Sequence, residues 1–136
     1  MLKKNLLIYW PTRNFLEVIK PLLPILQNNY KIFAILSNCS HTSSLFESLF
    51  DLKHKKIIEE FYITPPHQDI IKNILFLKKI TPELRKMKFD LWLTGSEMQP
   101  NEKYLAEYIL PDHCFSICMW NGITYLLLKN QSVVKK

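Results

Sequence analysis

Glycine is almost absent from this chain: there are two in 136 residues, Gly95 and Gly122. A dinucleotide-binding turn or a phosphate-cradling P-loop needs glycines after the first strand, because backbone must approach the pyrophosphate there. The corresponding turn reads Trp10-Pro-Thr-Arg-Asn14 and holds none, so both are excluded. Acidic residues are missing from the same tip, which excludes a phosphoacceptor receiver domain. Cysteine is scarce too. Cys39, Cys114 and Cys118 are an odd number without disulfide-framework spacing. Cys114 and Cys118 fall on one expected strand, roughly 13 Å apart, too far for one disulfide or one metal. All three read as buried thiols in a reducing compartment.

Long apolar runs are also missing. None approaches the ~20 residues of a membrane span. Leu6 to Trp10, ended by Pro11, is too short for a signal-peptide core. The expected location is the cytoplasm. His41, His54, His67 and His113 have no partners at metal-ligand spacing, and no Ser-His-Asp order or pair of carboxylates stands out. No metal and no cofactor is therefore expected, and no catalytic residue can be named.

What remains is an ordinary folded chain, 48% hydrophobic and 22% charged, of a length that suits one domain with a substantial core. The net charge is +6. The excess sits in Lys3-Lys4, Lys53 to Lys56, Lys78-Lys79, Arg85 to Lys88 and Lys135-Lys136. These clusters are dispersed and lack interleaved aromatics, so a solvated surface is the plain reading. The alternatives are an anionic substrate or peripheral contact with an anionic membrane face; nucleic acid is not expected, because no recognition motif accompanies the charge.

Apolar runs at Asn5–Trp10, Tyr30–Leu36, Phe89–Ser96 and Cys114–Trp120 read as buried strands, with a shorter strand at Glu60–Ile63. Between them lie helical patterns. The first runs from Phe15 to Leu26, with a kink or break at Pro21 and Pro24. The second runs from Ser44 to about Leu52 behind a capping-box spacing. A third follows Pro65-Pro66 to Lys88, as one broken helix or two consecutive ones, with Ile70, Ile71, Ile74, Leu75 and Leu77 as its apolar face. The last spans Pro100 to Ile109. Thr124 to Lys129 continues as strand or helix, and the tail from Gln131 is expected to fray. No repeat or linker is visible. The alternation predicts an α/β fold: a three-layer sandwich with a mostly parallel sheet.

In such a sheet, ligands bind outside the carboxyl ends of the strands. Three polar tips fall there. Thr12 and Arg13 follow the first strand, at an expected helix start that favours anions; the bland alternative is a cap and a surface arginine. Thr94, Gly95, Ser96 and Glu97 follow the fourth, as a binding tip or a plain turn. Trp120, Asn121 and Gly122 end the last, where Trp120 stacks on a sugar or base or belongs to the core, and Asn-Gly is also a tight-turn signal. His41 lies on the same edge, after the second strand. These ten residues are the expected substrate-binding set.

Three stretches together resemble the N-terminal Rossmann-like domain of two-domain glycosyltransferases of the GT-B type. They are Asn5–Leu36 with its strand-helix-strand pattern, Phe89-Asp-Leu-Trp-Leu-Thr-Gly-Ser, and Ile117-Cys-Met-Trp-Asn-Gly-Ile. The last is similar to a strand ending in Trp-His-Gly in CDP-glycerol glycerophosphotransferase-like enzymes. The histidine of that motif falls at Asn121, and an amide does not act as a general base. The resemblance implies the acceptor-side half of a glycosyl- or glycerophosphotransferase of cell-surface polysaccharide synthesis. Its donor would be held mainly by a separate nucleotide-sugar-binding domain or subunit, and its acceptor would be a glycan or another anionic substrate. The chain would then be half an enzyme, inactive alone. The competing expectations are a non-enzymatic Rossmann-like binding or interaction module, and a small self-sufficient enzyme using His41 or Glu97.

Overall fold

Leu6, Leu7, Ile8, Tyr9 and Trp10 are five consecutive residues with no exposed surface. Side chains alternate across a strand, so a run buried throughout must be covered on both faces. The computed structural model, which describes residues 2–10, 19–38, 42–95, 100–120, 123–128 and 134–135, puts this run at the centre of a sheet. The strands are β1 (Lys4–Trp10), β2 (Tyr30–Asn38), β3 (Glu60–Pro66), β4 (Leu91–Thr94), β5 (Phe115–Trp120), β6 (Ile123–Leu128) and β7 (Val134–Lys135). Their order is β3-β2-β1-β4-β5-β6-β7. The first five are mutually parallel, and β6 and β7 join antiparallel at one edge.

The helices divide between the two faces. A 3-10 turn at Lys20–Leu22 leads into α1 (Leu23–Leu26), and α2 spans Thr42–His54. Ile19 and Leu23 from the first segment, with Leu49 and Leu52 from α2, cover Leu6, Ile8 and Trp10 of β1 and Ile32, Ala34 and Leu36 of β2. Helix α3 (Ile70–Met87) and α4 (Pro100–Tyr104), which widens into a π-type turn at Leu105–Ile109, lie on the other face. There Leu77, Leu84, Leu105 and Ile109 cover Leu7, Tyr9, Phe33, Ile35 and Trp92. The result is the expected three-layer α/β sandwich with a mostly parallel, Rossmann-like sheet.

Several details sharpen or correct the sequence reading. The stretch around Thr124 forms strand β6. Only residues 121 and 122 separate it from β5, and so short a connection permits an antiparallel partner but no parallel crossover. Val134 and Lys135 pair with β6 as β7, so this part of the tail is held by the sheet. Pro82 does not break α3. The proline lies on the exposed side, so the carbonyl it leaves without a donor, on Lys78, can be served by water. Pro21 and Pro24 each occupy the first turn of a short helical segment, where a missing N–H costs nothing. Pro65 and Pro66 end β3, an edge strand, the position in a sheet that tolerates proline.

The largest departure is the orientation of α3. The apolar spacing predicts Ile70, Ile71 and Leu75 on its core face, yet all three are exposed. Its buried residues are Asn73, Leu77 and Leu84, with Phe76, Ile80 and Met87 partly covered. With apolar residues on both sides of its first turns, periodicity alone could not choose the inward one.

Scarce glycine leaves a trace in the backbone. Lys56 and Lys88 both adopt positive φ, 61° and 48°. Lys88 is the left-handed cap of α3, a role glycine fills at lower steric cost.

Candidate functional site

Strand order turns back between β1 and β4. From β1 the chain moves outward to β2 and β3, then crosses to the other side for β4 and β5. Ligands of open α/β sheets bind outside the carboxyl ends of the strands at such a switch point. Register fixes which residues meet there. Tyr9 pairs with Thr94, Thr94 pairs with Cys118, and Trp10 pairs with Leu36. The ends of β1 at Trp10, β4 at Thr94 and β5 at Trp120 therefore share one rim, as the sequence reading required. Gly95, buried, follows directly on β4.

Much of the expected binding set belongs to the connections above this rim. Thr12, Arg13, His41, Ser96, Glu97, Asn121 and Gly122 lie outside the described residues, as does the side chain of Trp120. Thr94 is described, and its role is internal. It has no exposed surface, and its hydroxyl donates to the carboxylate of Glu102, itself fully buried in the first turns of α4. The pair spans the β4–α4 connection and ties its two ends together.

Beside it runs a second polar link that the sequence reading passed over. Asn101 Nδ2 donates to Tyr9 Oη at 3.2 Å and to Asn73 Oδ1 at 2.8 Å. Asn73 Nδ2 in turn donates to Pro66 O and Asp69 O, both at 2.9 Å, and lies 3.3 Å from Pro65 O. One amide thus holds the β3–α3 turn, and its neighbour joins α3, α4 and β1. The Asp69 side chain caps α3 by accepting the Lys72 N–H at 3.0 Å. All the side chains of this link are at least nine-tenths buried: Tyr9, Asn73 and Asn101, as are Ser37, Thr94 and Glu102 around it. A buried polar group without a partner costs free energy, so these residues specify a single arrangement of the turns around the rim. The sequence signal was faint: a lone Asn inside an apolar run, and an Asn-Glu pair behind Pro100.

Electrostatically this wall is dry. Burial pushes the Tyr9 phenol up to about 12, the amide of Asn101 and the hydroxyl of Ser37 pull against it, and the nearby Glu102 carboxylate adds to the rise. Tyr9 is thus a neutral hydrogen-bonding post at ordinary pH. The Tyr62 phenol is also raised, by burial first and then by the carboxylate of Glu83. On the opposite face the indole Nε1 of Trp10 is buried at the end of β1 without an acceptor among the described residues.

Of the three cysteines expected to be buried, Cys114 and Cys118 are, and Cys39 lies outside the described residues; Cys114 precedes β5 rather than lying on it. No cluster of His, Cys, Asp and Glu able to hold a metal occurs among the described residues. Nor is any described helix long and apolar enough to cross a membrane. The chain matches no protein-family model, no curated protein and no solved structure.

Proposed function

We propose that this chain is the acceptor-side, Rossmann-like half of a GT-B-type glycosyl- or glycerophosphotransferase, acting on cell-surface polysaccharide together with a separate nucleotide-sugar-binding domain or subunit. The observation that carries this reading is the switch point between β1 and β4, which gathers the ends of β1, β4 and β5 on one rim. The sequences at those ends are the ones that resemble such enzymes. The lack of glycine in the turn after β1 supports the assignment of the nucleotide to the other partner, because that turn does not have the residues that let backbone approach a pyrophosphate. Within this half, the rim positions an acceptor and Arg13 supplies a charge-assisted contact to its anionic group.

Amide NMR tests the reading. A glycerophosphate-terminated oligosaccharide should shift the Trp10 and Gly95 amides at the rim, CDP-glycerol alone should not, and Arg13→Ala should weaken the acceptor's effect. Shifts confined to Asn5 and Asp90 at the amino edge, or a response to the nucleotide alone, would sink it.

A second reading, a binding module without chemistry, is favoured by the use of Thr94 and Glu102 within the fold. The same titration separates the two. A module should bind its ligand at the rim but give no transfer when a nucleotide-sugar-binding partner is supplied.

A further inference from the structure

Helix α3 is apolar on two sides. Leu77 and Leu84 face the sheet and have no exposed surface, whereas Ile71 and Leu75 are 74% and 59% exposed, and Ile70 beside them 55%. Residues four apart stack along one line of a helix. Ile71 and Leu75 begin such a line on the solvent side, Lys79 and Glu83 continue it toward the C-terminus, and Lys78 and Lys86 flank it. These lysines are exposed and join no ion pair among the described residues. Glu83 is the one acidic residue of the helix.

An exposed apolar ridge, continued by an excess of cations over one carboxylate, is the pattern of a helix lying in a bilayer interface. We propose that the outer face of α3 docks on an anionic lipid surface, with Ile71 and Leu75 entering the headgroup–acyl boundary and Lys78, Lys79 and Lys86 facing the headgroups. Charge complementarity selects this occupant. The cations are mostly single ammonium groups on flexible stems, with the exposed Arg85 one heptad beyond Lys78 and one carboxylate, Glu83, among them, a dispersed positive face that suits mobile anionic headgroups better than fixed carboxylates. The first turn of α3 is joined through Asn73 and Asn101 to the end of β1, so docking would bring the rim close to the bilayer. The inference stands on this surface and does not need the transferase reading.

Co-sedimentation with vesicles tests it on the whole chain. The protein should pellet with vesicles of phosphatidylcholine mixed with phosphatidylglycerol, stay in solution with phosphatidylcholine alone, and be released by high salt. Ile71→Ser with Leu75→Ser should weaken binding by about tenfold or more. Lys78→Gln and Lys79→Gln should each weaken it about fivefold. All four side chains are exposed, so the variants should melt as the wild type does. Equal retention by both vesicle types, or undiminished binding by the Ile71→Ser/Leu75→Ser variant, would overturn the proposal. So would a dimer in sedimentation analysis that this double variant converts to monomer, which would assign the ridge to a second copy instead.

Discussion

Asn101 donates to Asn73 at 2.8 Å across 28 residues of sequence, and this one bond joins the first turns of the two helices on one face of the sheet. Asn73→Leu would remove it and also the bonds to Pro66 O and Asp69 O, leaving buried groups without partners. The expected cost is about 2–4 kcal/mol, the sum of more than one orphaned group. Urea denaturation should show the midpoint falling with little change in slope. Asn73→Ser, which retains polarity, should lie between this variant and the wild type.

Tyr9 makes stability fall at high pH. Its folded pKa, about 12, lies above the ordinary tyrosine value of 10.0, so the folded state keeps the phenolic proton that the unfolded chain gives up first. The contribution is complete below pH 10 and is lost as pH rises toward 12. A shift of this size corresponds to about 2–3 kcal/mol. Tyr9→Phe cannot ionise, so the stability difference between wild type and variant should shrink across that window. A constant difference would show that Tyr9 does not titrate as the fold requires.

The sequence made some of this legible and hid the rest for physical reasons. β1 and β2 are plain because a strand covered on both faces is continuously apolar, and their parallel direction follows from the alternation with helices. The inward side of α3 was misread because Ile70, Ile71 and Leu75 offered a second apolar side, while the buried face carries Asn73. Thr94 was found as a rim residue, but its partner Glu102 was not: nothing in a string of letters shows that a carboxylate eight positions on will be buried against it. The wall of the rim comes from such long-range bonds, which composition and period do not encode.

Lys88 offers a gain in stability. It holds a left-handed conformation, φ 48°, at the end of α3. A side chain there costs about 1–2 kcal/mol, and glycine avoids this at an entropic cost of about 0.5–1 kcal/mol in the unfolded chain. Lys88→Gly should therefore stabilise by about 0.5–1 kcal/mol, while Lys88→Val should destabilise. Thermal melts of the two variants should move in opposite directions.

Asp90 separates architecture from function at the head of β4, the strand that ends on the rim. Its side chain accepts the Asn5 N–H at 3.1 Å, its backbone N–H donates to Asn5 O at 2.9 Å, and its carbonyl accepts the Phe115 N–H at 3.0 Å. It thereby ties the starts of β1, β4 and β5 together at the amino edge, the end opposite the rim. His113 lies 3.5 Å from its carboxylate, but that pair is largely solvated and adds little. Asp90→Ala should lower stability by about 1–2 kcal/mol through the lost Asn5 contact. It should leave untouched any shift that an acceptor induces at Trp10 and Gly95. If Asp90→Ala abolished acceptor binding in a variant that still folds, the ligand would have to sit at the amino edge, and the rim would lose its claim.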